Sequence, residues 1–154
     1  MDVPFLRTDF NECQGQFSPD GHWIAYVSDE SGQFEVYVRP FPSGAGKTKV
    51  SSNGGREPRW RRDGKELFYV EPDRLMYRLM AVPVRLGSAP VFEASAPEPL
   101  FAFRGTGFAT QANVFAYSVA AGGQRFLVRT QVNTDEPTLN VIVNWEKAVA
   151  AKER

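Results

Sequence analysis

The chain has 154 residues, long enough for one domain with a sizeable core, and 42% of them are hydrophobic, which excludes a disordered polymer. Lys+Arg and Asp+Glu both number 18, so the formal net charge is zero and nothing global steers the chain toward nucleic acid or an anionic membrane. A single cysteine, Cys13, excludes an internal disulfide and a cysteine-built zinc site.

Taken in order, Met1 to Phe10 lacks the basic-then-apolar layout of a signal peptide. No apolar run approaches the length of a transmembrane helix, so the chain reads as soluble, with its compartment undetermined. Pro4-Phe5-Leu6-Arg7 reads as a strand standing apart from the rest of the chain. Gln14–Phe17, Trp23–Ser28, Phe34–Arg39 and Thr48–Ser51 are then predicted as four strands. Glu57–Arg61, Glu66–Val70, Leu79–Val84 and Pro99–Phe103 form a second four, and Phe115–Val119, Arg125–Thr130 and Leu139–Trp145 a further three. Most of these runs are short, aromatic or β-branched, and bounded by Gly, Pro, Asp and Ser. Eleven prolines and thirteen glycines leave no room for a long helix, and only the tail from Glu146 has helix-forming composition.

The groups of strands repeat. Phe17-Ser18-Pro19-Asp20-Gly21 leads into Trp23-Ile24-Ala25-Tyr26-Val27, and Trp60-Arg61-Arg62-Asp63-Gly64 leads in the same way into Glu66-Leu67-Phe68-Tyr69-Val70. Gly21 and Gly64 stand 43 positions apart, near the roughly 40–45 residues of a four-stranded propeller blade. A third copy, Val119-Ala120-Ala121-Gly122-Gly123 before Arg125-Phe126-Leu127-Val128, comes 59 positions later, which places an insertion within Leu86 to Gly107. Asp-Gly or Gly-Gly between two β-runs supplies the positive φ of a tight turn, and the preceding aromatic, Phe17 or Trp60, fills the space between blades. The predicted organisation is an N-terminal closing strand over 1–10, blades over 11–52, 53–104 and 105–145, and a tail over 146–154.

These repeats resemble those of the bacterial TolB-like (WD-repeat-like) propellers. The stretches Glu35-Val36-Tyr37-Val38-Arg39-Pro40-Phe41 and Glu57-Pro58-Arg59-Trp60-Arg61-Arg62-Asp63-Gly64, with Leu79–Val84 and Val141–Trp145, are similar to the propellers that follow some bacterial serine/threonine kinase domains. The resemblance implies an all-β fold of about six blades. The kinase catalytic region itself is absent, so kinase activity is not implied.

Three blades cannot close a ring of four to eight. The expected solution is a homodimer, three blades plus three about a two-fold axis, with the strand at Phe5 and Leu6 completing the partner's third blade against Val141, Val143 and Trp145. The alternative is a fragment of a larger kinase- or peptidase-associated propeller with no independent function.

The sequence carries little chemistry. Gly44-Ala45-Gly46-Lys47-Thr48 resembles the end of a phosphate-binding loop, but Phe41 stands where that loop needs glycine. His22, the only histidine, comes directly after a turn, and no Gly-x-Ser-x-Gly elbow exists. Asp29, Glu30, Asp135 and Glu136 match no calcium-loop spacing and read as solvated turn acids. Arg56, Arg59, Arg61 and Arg62 form the one dense basic cluster. On an innermost strand they would ring a channel mouth and take an anionic or acidic peptide ligand, or else pair with Glu57, Asp63 or Glu66 between blades. The expectation is therefore an interaction or scaffold module and not an enzyme, with no cofactor and no metal.

Overall fold

The repeated turn recurs in the same hydrogen bonds in the structure, a computed structural model that describes residues 4–74, 76–87, 91–105, 115–131 and 137–143. Ser18 N–H donates to Trp23 O and Gly21 N–H to Ser18 O. Arg61 and Gly64, then Ala120 and Gly123, make the equivalent pairs, all at 2.9 Å. Gly21, Gly64 and Gly123 hold φ of 73°, 72° and 73°, the left-handed region that a side chain disfavours. Asp20 and Asp63 each accept the N–H two residues on at 3.1 Å. Gly122 replaces that carboxylate in the third turn, and the backbone geometry persists without it.

Three antiparallel sheets grow from these turns. The first runs β1 (Glu12–Phe17), β2 (Trp23–Ser28), β3 (Glu35–Pro40) and β4 (Thr48–Lys49), in that order. The second runs β5 (Arg56–Trp60), β6 (Glu66–Asp73), β7 (Met76–Leu86) and β8 (Phe92–Ala94), with β9 (Glu98–Arg104) also on β7. The third runs β10 (Tyr117–Val119), β11 (Arg125–Gln131) and β12 (Pro137–Val143). Among the described residues there is no helix, and so none long and apolar enough to cross a membrane.

Each strand expected in the three groups is present, with ends shifted by a few residues. The second sheet departs from the expected four strands. The 11-residue β7 overhangs β6, and its far end, Val84–Leu86, would leave unpaired backbone groups. β8, inside the expected insertion, pairs with that end, while β9 pairs with Met76–Ala81. β8 also places Phe92 against the rings of Trp23 and Trp60, with centroids 5.4 and 6.4 Å away. The expected N-terminal strand does not form in the single chain. Residues 4–10 carry no strand, and Phe5 packs on Phe41 at 5.7 Å between centroids.

Alternation along β6 explains the packing. Leu67 and Tyr69 join a buried cluster with Trp23, Val27, Val36 and Val38 of the first sheet. Phe68 and Val70 join another with Phe126 and Val128 of the third. The middle sheet is thus covered on both faces, and β6 reads as a continuous apolar run because it has no solvent side.

Candidate functional site at the inner strands

Each sheet's first strand, β1, β5 or β10, lies at the sheet edge that would face a central channel in a radial array. The four arginines of the cluster do not stay together there. β5 ends at Trp60, so Arg61 and Arg62 belong to the turn and the strand alternation that would pair Arg59 with Arg61 does not reach them. Arg61 is held in its own hairpin, donating to both Asp63 oxygens at 2.6 and 2.7 Å and to Glu66 at 2.6 Å. These bonds raise the Arg61 pKa and hold Asp63 down at about 2. Arg62 is exposed and lines an open cleft of about 670 Å³ with Asp20, Lys65 and Arg85.

Arg56 and Arg59 remain at the inner strand. The Arg56 guanidinium lies 3.9 Å from the Phe34 ring centroid. Arg59 donates from Nη1 to Gln16 Oε1 at 2.9 Å and lies 3.6 Å from the Phe115 ring centroid, so it touches the first sheet and the approach to the third. Trp60 Nε1 donates to Gln16 O at 3.2 Å across the same junction.

Two residues outside the expected site complete it. Gln14 and Glu57 have φ of 56° and 58° at bulges in β1 and β5. Glu57 is 3% exposed and accepts the Ala116 N–H at 2.6 Å, while its own carbonyl accepts the Tyr117 hydroxyl at 2.8 Å. Burial pushes the Glu57 pKa up, against the Ala116 hydrogen bond and the charges of Arg59, Arg129 and Arg56. Burial, with the charge of Glu57, also drives the Tyr117 hydroxyl well above its ordinary value. The shared 43-residue spacing of Gln14 and Glu57 is visible in the repeat, but nothing in a Gln or Glu announces a left-handed backbone.

The sign of the Glu57 shift gives a test. A carboxyl with a raised folded pKa contributes stability that is present below its ordinary value of 4.5 and lost as pH rises through the folded value. Glu57→Gln keeps an oxygen for the Ala116 N–H and cannot ionise. Urea midpoints of wild type and Glu57→Gln are expected to lie closest below pH 4.5 and to separate above it, the variant gaining. A pH-independent difference would refute the buried-carboxyl account.

The remaining candidates find ordinary roles. His22 is an exposed turn residue whose N–H donates to Asp20. Cys13 is half-buried, and burial raises its thiol pKa, the reverse of a reactive cysteine. Asp29 accepts twice from Asn11, and Lys47 pairs with Glu30 and lies 5.4 Å from the Tyr37 centroid. Asp135 and Glu136 lie outside the described residues, as does Trp145. Among the described residues no three His, Cys, Asp or Glu side chains are grouped to hold a metal ion. Leu6 lines a groove of about 330 Å³ with Phe17, Ile24 and Tyr26, and Val141 and Val143 pair through their backbones with Leu127 and Arg125.

No family profile matches the sequence, and no curated protein matches it. Among solved structures, the chain is similar to TolB from Acinetobacter baumannii, at 13% identity and a TM-score of 0.47 over 91% of this chain and 43% of that one. It is also similar to a putative 6-phosphogluconolactonase from Bacteroides uniformis, at 14% identity and a TM-score of 0.51 over 90% of this chain and 42% of that one. The chain spans less than half the length of either structure. At such identities a likeness speaks to fold alone, and with the three antiparallel sheets it gives an all-β fold of the propeller kind.

Proposed function

We propose that this chain is a non-catalytic propeller module whose three sheets are three blades, and that two copies pair into a full ring with the inner-strand arginines at its channel. One observation carries the reading. Phe17 and Trp60 are the same position of the repeat, one before each Asp-Gly turn. Trp60 reaches into the preceding sheet, whereas among the described residues no sheet packs in that place against Phe17, which is 57% exposed. An exposed aromatic at a packing position calls for a neighbouring blade. Ile24, half-buried beside Phe17 in the same groove, matches Leu67 of the second sheet, which is 0% exposed against the first.

The non-catalytic part rests on the turn position of His22 and the raised thiol of Cys13, which supply no nucleophile–base pair. The binding part rests on Arg59, whose guanidinium is stacked and fixed by one bond to Gln16, a pre-organised seat for a carboxylate. Light scattering after size exclusion is expected to give twice the chain mass of 17.2 kDa at micromolar concentration. A single-chain mass throughout would overturn the ring. Arg59→Ala is expected to weaken binding of a labelled poly-glutamate peptide while leaving the assembly mass unchanged.

A further inference from the structure

The two inner-strand junctions are fastened by one recurring hydrogen bond. Glu57 N–H donates to Gln14 Oε1 at 2.9 Å across 43 positions, and Ala116 N–H donates to Glu57 Oε2 at 2.6 Å across 59. Those are the repeat's own spacings, so residues 14, 57 and 116 are one position seen in three sheets. In the first two sheets the residue at that position sits in a bulge with positive φ, and its side chain accepts from the next sheet along. In the third sheet the position is Ala116. It receives the bond and has no side-chain acceptor to pass on, and it does not carry the positive φ.

We infer that this is a one-way latch that ends at the third sheet, so that a junction between copies forms without it and opens before either junction inside a chain. The inference rests on the self-pairing proposed above and says how that pairing is regulated. Each internal junction combines the latch with a continuous buried cluster, Leu67 and Tyr69 against Trp23 on one side and Phe68 against Phe126 on the other. The junction between copies would have apolar contact, contributed by Phe17 and Ile24, and no latch. Dilution should therefore release folded single chains and not unfolded ones.

The test tracks mass by light scattering and amide exchange by NMR across a dilution series of the full chain. The expected result is a fall from two chains to one while the Glu57 and Ala116 amides stay protected. Loss of mass coinciding with loss of that protection would overturn the inference. A single-chain mass at every concentration would instead overturn the self-pairing, and the latch is then judged alone. Gln14→Met and Glu57→Met keep side-chain length and remove the acceptor. The first should speed exchange of the Glu57 amide, and the second that of the Ala116 amide, each about tenfold. Unchanged exchange in both would dispose of the latch.

Discussion

Phe68→Ala is expected to lower the unfolding free energy by about 3–5 kcal/mol, the range for truncating a buried phenylalanine. The ring is 1% exposed at the centre of the middle sheet and meets Phe126 edge-on, with centroids 5.2 Å apart at 81°. Phe126 also meets Phe101, so one wall of the cavity would be a pair of aromatic rings carried on β11 and β9. Such a wall collapses poorly, which places the cost toward the upper end of the range. Denaturant midpoints at unchanged slope measure it, and a loss under about 1 kcal/mol would show that the second and third sheets do not pack as described. Removing one ring this central is expected to loosen the third sheet first, because Phe126 and Val128 have their buried neighbours there.

Gly55→Ala is expected to be nearly as damaging, for a steric reason. A Cβ at Gly55 would lie 2.3 Å from Ser51 Oγ, 2.7 Å from Ser51 Cβ and 3.1 Å from Val36 Cγ2. Ser51 Oγ donates to the fully buried carboxylate of Glu35 and accepts the Val36 N–H at 2.8 Å. Displacing the hydroxyl breaks both bonds and leaves a buried charge short of one donor, so overpacking and lost hydrogen bonding add to roughly 2–5 kcal/mol. Glu35 keeps Gln33 Nε2 at 2.8 Å and Lys49 at 3.4 Å, which limits the damage. Gly122→Ala is the control, since its added Cβ would meet nothing within 4 Å and its φ is not in the left-handed region. Thermal melts of the two variants should differ widely, and equal melts would rule out the crowding at Gly55.

Much of the fold is legible in the sequence because its determinants are local. Asp20-Gly21 and Asp63-Gly64 specify their turns by residue type, and the runs beside them specify strands. Even the third turn, spelled Gly122-Gly123, is placed by its spacing from Arg125 and Phe126. β8 is not legible. Phe92-Glu93-Ala94 has no strand signature of its own, and it forms because β7 projects past β6 and leaves an edge to pair. At the candidate site, the basic residue types can be read from the chain but their destinations cannot. Arg61 is drawn into its own turn by Asp63, a local competition that strand alternation ignores. Glu57 reads as a partner for the arginines between blades, whereas the bulge carries it inward to accept the Ala116 N–H.

The two-sided burial of β6 has a consequence for how freely this chain can diverge. On β11 buried Phe126 and Val128 alternate with more open Arg125, Leu127 and Arg129, so every second codon is available to drift. Along Leu67, Phe68, Tyr69 and Val70 no codon has that freedom, since a polar change at any of the four meets one hydrophobic layer or the other. Selection should therefore hold this tetrapeptide apolar in descendants of the chain long after the turns and outer strands have changed beyond recognition.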